Sequence, residues 1–401
     1  MRPHFDRMKR IFKGLEYPDT ICISYSLKML TFLGQWQHQQ QTRRYWTYLQ
    51  ALNCAMIFHV CTLMWDLCVV YNDIILFGDD MCVVSGVALV MYKKFYHNYY
   101  SVQFEQIFEQ LKRYSEQNNQ RDETIRKLQR KYHIEEYVLI IGTIFLGLAT
   151  VVSLNGHALF DSTIPLRAIY PIELDTDQRI IAVTIFQFVM SIFLIEGIVF
   201  FDGIGGQVMS QMTLHFHVLC IDFQRIGSGL VDSPENDSLE RKSNSDKIKC
   251  DLFKLVKRHQ ELILFGHRAN ALYQPMLLAQ LICSLAMICL TAFEATLTTH
   301  DPLLFLKFAM FAVSVLIQIL YWCYYGNRVS HMSTEINNAL ISSNWIVGNN
   351  SIKKDYKFVM MRAQKPFRFI VYNYFPISYE TFISVLSRSY SFFTLFRTIS
   401  D

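Results

Sequence analysis

Residues 137–154 read YVLIIGTIFLGLATVVSL and carry no charged side chain over 18 residues. A helix that crosses a membrane needs about 20 mostly apolar residues. Further stretches of this character, some shorter or less apolar, lie at 45–70, 76–92, 180–201, 271–293, 302–325 and 375–396. One soluble domain rarely holds so many helices this apolar. The sequence therefore predicts an all-α membrane protein with seven transmembrane helices.

The composition agrees with this prediction and excludes other classes. Hydrophobic residues make up 52% of the 401 residues and charged residues 18%, against roughly 25% charged residues in ordinary soluble domains. These values exclude a disordered chain, a collagen-like fibre and a highly charged protein that binds nucleic acid. The formal net charge of +4 says little until the basic residues are placed along the chain.

The number of lysine and arginine residues alternates between high and low in successive connections. They number 8, 0, 9, 1, 9, 0 and 7 in residues 1–44, 71–75, 93–136, 155–178, 202–270, 298–301 and 326–374. Because basic residues collect on the cytoplasmic side of a membrane, the pattern predicts a cytoplasmic N-terminus and an extracellular C-terminus. It also predicts long cytoplasmic connections, with the second and third spans continuing as helices through residues 93–136.

The predicted orientation is the reverse of that of a G-protein-coupled receptor. Neither Asp-Arg-Tyr after the third span nor Asn-Pro-x-x-Tyr in the seventh is present. A metabotropic seven-span chemoreceptor stays an alternative interpretation, and so does a gustatory-type receptor channel. A transporter would be expected to show an internal repeat of spans, and none is apparent.

Sequence motifs for catalysis are absent. There is no Gly-rich phosphate loop, HExxH, paired CxxC or Gly-x-Ser-x-Gly. His215 and His217 are two residues apart, a spacing that places them on different faces of a helix. Most of the ten cysteines lie in predicted spans, where small buried hydrophobes are expected. We predict neither an enzyme nor a bound metal or cofactor.

The spans divide the chain into regions. These are a cytoplasmic N-terminus at 1–44, six transmembrane helices within 45–325, a cytoplasmic segment at 326–374 and a last helix at 375–401. Residues 21–33 are too short and polar to span and suit a helix at the membrane interface. Residues 227–247 are rich in Gly, Ser, Asp and Asn and predict a loop.

Charged residues inside spans need an explanation, since a charge at bilayer depth costs about 3 kcal/mol on insertion scales. Those in the predicted spans include Glu196, Glu294, Lys307, Glu380 and Arg388. We expect Glu294 and Lys307 to lie near the outer interface, where the lysine can reach water. We expect the neighbouring Asp79 and Asp80 to be solvated at a span edge. Arg388 should face a water-filled path or a protein partner.

The last 80 residues carry an ordered series of short motifs. Tyr325-Gly326-Asn327 follows the sixth span, and then come Asn344-Trp345, MRAQKP at 361–366, Thr381-Phe382 and SYSFF at 389–393. Together with the seven spans and their orientation, the series resembles insect odorant receptors. The Thr-Tyr…Gln-Phe ending of gustatory receptors is absent, and so is the long insertion of the odorant co-receptor between spans four and five. The chain is thus similar to a ligand-tuning odorant receptor subunit.

The resemblance implies a tuning subunit of a heteromeric, ligand-gated, non-selective cation channel in the plasma membrane of olfactory sensory neurons. Its partner would be the odorant receptor co-receptor, in a tetramer held by a cytoplasmic anchor that includes 326–374. The last helix would line the pore, with Tyr390, Phe393, Phe396 and Arg397 at pore or gate positions. Phe396 stands where the co-receptor has a glutamine. Arg397 is unexpected in a cation pore, so it should point away from the axis or lower divalent permeation.

The resemblance also implies that a small volatile odorant binds between spans two, three, four and six, in their outer halves. The candidate lining residues are Val83, Val84, Val87, Phe145, Leu148, Ala149, Val152, Phe186, Phe188, Met190, Phe308 and Phe311. As a set they would form an apolar, aromatic-lined pocket whose affinity comes mainly from burial. On this placement, Ala149→Leu would shrink the pocket and reject larger ligands.

Overall fold

The computed structural model describes residues 22–36, 43–156, 164–228, 238–298, 300–345 and 350–400, with the side chains of 74–75, 238–244 and 396–400 excepted. In chain order the elements are α1 (Cys22–Phe32), α2 (Arg43–Val69), α3 (Ile74–Tyr99), α4 (Ser101–Asn119), α5 (Glu123–Gly156), α6 (Asp177–Gln224), α7 (Ser238–Leu297), α8 (Pro302–Ile341), α9 (Asn350–Ala363), β1 (Ile370–Val371), β2 (Phe375–Pro376) and α10 (Tyr379–Ser400). The described chain is thus almost entirely helical.

Seven long helices correspond to the seven predicted spans. Among the described residues, α2, α5, α6, α8 and the part of α7 from Ser245 onward are long and apolar enough to cross a membrane. α3 packs against α6 and α7, and α10 packs against α7 and α8. α10 begins at Tyr379, four residues later than predicted, because Phe375 and Pro376 pair with β1 in a short antiparallel hairpin.

The hairpin reverses the chain immediately before α10. Tyr372 and Asn373 at its tip have φ values of 46° and 64°, a conformation that asparagine tolerates better than a bulky residue. The Ile377 N–H donates to the carbonyl of Phe369 at 2.8 Å. This bond fixes the direction in which α10 leaves the hairpin.

α6 is the central helix of the bundle. It runs for 48 residues and packs against α1, α3, α5, α7 and α8. Every residue from 200 to 216 is buried, which requires a helix surrounded on all sides. Gly205 and Gly206 permit this, because a Cβ at either position would overlap the ring of Trp322 or Tyr321 on α8.

We call the outer half the C-terminal parts of α2, α5 and α7 together with the N-terminal parts of α3, α6 and α8. The inner half comprises the other ends of α5–α8 together with α1, α4, α9 and the hairpin. The inner half holds the largest hydrophobic core, and its fully buried side chains include Phe104, Phe216, Phe265, Val329, Tyr356 and Phe369. The seven lysine and arginine residues of 326–374 belong to this half, which the charge pattern predicts to be cytoplasmic.

The predicted connections are partly confirmed. α5 continues the third span by more than ten residues, whereas the helix of the second span ends at Tyr99 and α4 follows as a separate helix. Of the loop predicted at 227–247, residues 229–237 lie outside the described residues and 238–247 are helical. α1 forms where a short helix was predicted. It packs against α6, and its place at the membrane interface stays a prediction.

Candidate functional site

A cavity of about 140 Å³ lies in the outer half. Its wall includes His59 from α2; Val83, Gly86, Val87 and Val90 from α3; Thr143, Leu146, Gly147, Thr150 and Leu154 from α5; Leu166; Ser191, Leu194, Ile195, Ile198, Val199 and Asp202 from α6; Met287 from α7; and Phe311, Ser314, Val315, Ile317, Gln318 and Tyr321 from α8. Most of these side chains are aliphatic. An apolar cavity of about 150 Å³ can hold a molecule the size of benzene.

One face of α5 closes the cavity on one side. Its lining residues recur every three or four positions, which places them on one side of a helix. Gly147 lets α5 approach α6 closely, since a Cβ there would stand 2.6 Å from Oε1 of Glu196. The hydroxyls of Thr150 and Ser314 lie 2.6 Å apart and join α5 to α8.

Three of the predicted pocket residues, Val83, Val87 and Phe311, line the cavity. Val84 lies instead in a smaller neighbouring pocket, which shares Val83 and Leu166 with the cavity. Their contact with a ligand stays a prediction. The sequence pointed to these positions because α3 and α8 each carry a dense apolar face at this depth.

Other predicted residues on α6 and α8 pack elsewhere. The Phe186 ring lies 5.9 Å from that of Phe58 and 5.8 Å from that of His59. Met190 and Phe308 are buried but do not line the cavity. Phe188 is 38% exposed.

The residues predicted on α5 lie on its other face. Phe145, Leu148, Ala149 and Val152 are all exposed at the surface of the chain, and Phe145 is 68% exposed. This corrects the expectation that they face the pocket. The cause is physical: side chains that face lipid are as apolar as those that line a hydrophobic pocket, so composition cannot distinguish the two faces. Ala149→Leu is therefore not expected to shrink the cavity.

The floor of the cavity holds a buried ionic group that sequence reasoning missed. The Lys93 ammonium group donates to a carboxylate oxygen of Asp202 and, at 2.5 Å, to Oε1 of Gln280. Gln318 Nε2 donates to the other carboxylate oxygen of Asp202 at 2.6 Å. These four residues, which we call the polar node, join α3, α6, α7 and α8. Since one charge of each sign is buried with hydrogen-bonding partners, the node can exist inside the bundle.

A second set of ionic contacts corrects two expectations about the outer edge. Lys307 is 4% exposed, and its Nζ lies 3.2 Å from Oδ1 of Asp79 and 4.9 Å from the Phe308 ring centroid. Asp80 is 5% exposed and lies 4.0 Å from Arg167. Lys307 and Asp80 are thus paired and buried rather than solvated, while Asp79 is half-buried. Their partners come from separate elements, so no local sequence pattern reveals them.

The predicted pore residues lie on α10. Tyr390 is 68% exposed, and its ring centroid is 6.2 Å from that of the half-buried Phe393. The side chains of Phe396 and Arg397 lie outside the described residues. Large apolar side chains at Ile383, Phe392 and Leu395 are also exposed on α10, so the helix presents apolar surface along its described length. Arg388 and Glu380 are exposed as well.

The inner half carries ion pairs at the end of α6. Arg121 and Arg258 both contact the carboxylate of Asp222. Arg225 donates to Asp122 at 2.7 Å, and this hydrogen bond holds the pKa of Asp122 below its usual range. The pairs tie the connection between α4 and α5 to α6 and α7.

The chain is similar to known proteins along most of its length. A family model described as 7tm Odorant receptor matches residues 73–390. The chain is 26% identical to odorant receptor 47b of Drosophila melanogaster over 364 residues, which cover 86% of this chain and 84% of that protein. It is 21% identical to odorant receptor 65a of the same species over 401 residues, which cover 96% and 93%.

A solved structure shares the fold. The insect olfactory receptor OR5 from Machilis hrabei, determined in complex with eugenol, matches with a TM-score of 0.74 at 14% identity, covering 94% of this chain and 97% of that one. The match confirms the predicted all-α fold of seven transmembrane helices.

Proposed function

Because the chain belongs to the 7tm odorant receptor family and is a multi-pass membrane protein, we propose that it is the odorant-binding, tuning subunit of a heteromeric ligand-gated cation channel. Its partner in this proposal is the odorant receptor co-receptor, with which it forms a tetramer in the plasma membrane of olfactory sensory neurons. The observation that carries the proposal is the apolar cavity of about 140 Å³ between α2, α3 and α5–α8.

The cavity suits a small volatile molecule. Its wall is mainly aliphatic, with aromatic rings from Phe311 and Tyr321, so a ligand would be held chiefly by burial of apolar surface. A molecule small enough to enter buries little area and still loses translational freedom. We therefore expect modest affinity and a response to several related compounds.

The surface of α10 supports a pore shared between subunits. Tyr390, Phe392 and Leu395 are 68%, 48% and 55% exposed in the single chain, and an apolar helix face is covered in a completed assembly. In the proposal, Tyr390 and Phe393 face the conduction path near its gate. Phe396 and Arg397 follow them along the chain, and their roles are part of the same proposal.

The inner half supports the proposed anchor. Phe253, Phe358 and Tyr374 are 72%, 77% and 80% exposed, and exposed apolar side chains of this size mark surfaces that contact other proteins. In the proposal, residues 326–374 contribute to contacts that hold the four subunits together.

Gating requires that the ligand prefer one arrangement of the helices over the other, since it can shift the equilibrium only by that difference in affinity. α10 packs against α7 and α8, and both of these helices contribute to the cavity wall. A change in cavity shape can therefore be transmitted to the proposed pore helix, α10, through its direct contacts with α7 and α8.

The proposal is tested by whole-cell current in cells that express this chain with the co-receptor, this chain alone, or the co-receptor alone, while G-protein signalling is blocked. Current evoked by an odorant panel should need both chains and survive the block. Odorant-evoked current that disappears under the block would instead indicate a metabotropic receptor. If cells that express both chains respond to the odorant panel in the same way as cells that express the co-receptor alone, the tuning role is contradicted.

A further inference from the structure

Two polar side chains in the cavity wall have no hydrogen-bond partner within the described part of the chain. His59 of α2 is fully buried, at 0% exposure, and neither of its ring nitrogens is paired. Ser191 of α6 is 3% exposed, and its hydroxyl is also unpaired. Both residues line the cavity.

The other polar side chains of the wall differ, because the protein itself supplies their partners. Four hydroxyls donate to helix carbonyls: Thr143 to Ile140, Thr150 to Leu146, Ser314 to Met310 and Tyr321 to Gly203. Asp202 and Gln318 bond to each other in the polar node. His59 and Ser191 thus stand out as the lining residues whose hydrogen-bonding capacity is left open within the described chain.

A buried polar group that forms no hydrogen bond costs free energy, and a ligand that supplies the missing bond recovers it. We propose that His59 and Ser191 form the polar recognition point for a neutral ligand with one oxygen-bearing group, an alcohol or a carbonyl compound, on a small apolar body. This inference rests on the proposed function, since it takes the cavity to be the odorant site. It specifies the ligand class and adds α2 to the recognition elements.

The chemistry of the two side chains selects neutral oxygen groups. A neutral imidazole offers one N–H donor and one acceptor nitrogen, and a serine hydroxyl can act as either. An alcohol can therefore donate to or accept from either side chain, while a carbonyl oxygen can accept from either. A carboxylate would be buried at a wall that carries no lysine or arginine among its described residues, and Lys93, which bonds to Asp202 of the wall, already has Asp202 and Gln280 as partners.

The test uses 1-hexanol, 2-hexanone and hexane as matched probes on cells that express the chain with the co-receptor. The wild-type complex should respond to both oxygenated probes at lower concentration than to hexane. His59→Phe keeps an aromatic ring and removes both nitrogens. It should lower potency for hexanol and hexanone by about 10-fold, the value of one hydrogen bond, and leave the response to hexane undiminished.

Ser191→Ala is a second variant, which removes only the hydroxyl. Like His59→Phe, it should reduce the preference for the oxygenated probes over hexane. Ser314→Ala is the matched control, because its hydroxyl already bonds within the protein; it should affect all three probes alike. His59→Gln, which restores a donor and an acceptor, should recover part of the preference.

An unchanged ratio of potencies for hexanol and hexane in both His59→Phe and Ser191→Ala would overturn the inference. A wild-type complex gated by hexane but by neither oxygenated probe would also overturn it, while leaving the proposed odorant function intact. Absence of any current that depends on this chain, across a broad odorant panel, would instead count against the proposed function.

Discussion

The inner and outer halves of the bundle are built from the same helices but are packed differently. The inner half holds one large core to which α1, α4, α6, α7, α8, α9 and the hairpin contribute. The outer half holds smaller, separate clusters, one around Leu63 and Val87 and another around Met287 and Val315. The cavity lies between these two clusters, since residues of both line it.

α6 shows the difference within a single helix. Its residues from 200 to 216 are buried without exception, whereas many residues before 200 are partly or fully exposed. A close-packed interior has no room for a ligand, and a change of one methylene group is felt there. Empty apolar volume is itself unfavourable. The molecule therefore concentrates its stability in the inner half and leaves in the outer half a space that a ligand can fill.

The largest expected effect comes from breaking the polar node between the two halves. Asp202→Leu would leave the charge of the fully buried Lys93 without its counter-ion. Breaking a buried ion pair in this way destabilises a protein by about 3–5 kcal/mol. We expect little of this variant to reach the cell surface, as measured by surface labelling of a tagged chain.

The matched control is the double variant Lys93→Met with Asp202→Leu, which removes both charges. Replacing a buried pair by apolar side chains is often tolerated, although Gln280 and Gln318 lose partners here. Surface expression should recover in large part. Equal expression of the single and double variants would contradict an ionic role for the node.

The second effect tests close packing in the inner half. Gly326→Ala would place a Cβ against the backbone carbonyl oxygen of Ile377, which follows the hairpin. Overpacking of this kind costs about 1–3 kcal/mol, so the melting temperature of the purified chain should fall. Gly142→Ala on α5 is the control, because a Cβ there meets nothing within 4 Å. If Gly142→Ala lowers the melting temperature as much as Gly326→Ala does, close approach is not the cause.

The third effect tests the empty space in the outer half. Gly86 faces the cavity, and a Cβ there would lie 3.8 Å from Sδ of Met287, so Gly86→Val fits the backbone but fills part of the volume. A pocket that loses room for one methyl group changes the ratio of its potencies for a larger and a smaller ligand by about 10-fold or more. Potency should fall more for large agonists than for small ones in dose–response series. Ala149→Leu, on the exposed face of α5, should leave the series unchanged; the opposite pattern would place the ligand elsewhere.

The smallest effect concerns the surface of the inner half. Arg225 holds the pKa of Asp122 below its usual range, so this ion pair stabilises the fold at neutral pH and ceases to do so as pH falls through the lowered pKa. Both side chains are largely exposed, so Asp122→Asn should lower the melting temperature slightly, and less at high salt. A large, salt-independent decrease would show that the pair is not simply a surface contact.

The fold was largely predictable because its determinants are local and repeated. Apolar stretches such as 137–154 identified the helices, and the placement of lysine and arginine predicted an orientation. The hairpin was missed because it depends on Tyr372 and Asn373 adopting positive φ in a segment without glycine. Its two-residue strands are too short for an alternating pattern to be visible.

The site was predictable only in part. The four spans expected to hold the pocket, α3, α5, α6 and α8, all contribute to the cavity wall. The rotation of α5 about its axis could not be inferred, and Phe145 and Ala149 were assigned to the pocket although they are exposed. His59 and Asp202 were missed because a single polar residue in an apolar span gives no sign of its partners. Those partners come from helices distant in sequence, as Lys93 and Asp202 show.

The polar node also has a mechanical consequence. Asp202 lies 25 residues from Asp177 and 22 from Gln224, the two ends of the uninterrupted α6, or about 38 Å and about 33 Å at 1.5 Å per residue. Two neighbouring helices, α3 and α8, therefore hold α6 close to its midpoint through Lys93 and Gln318, and α7 supports the contact through the bond between Gln280 and Lys93. Because the two parts of α6 on either side of Asp202 are nearly equal in length, a tilt about this point that moves the outer end in one direction moves the inner end about as far in the other.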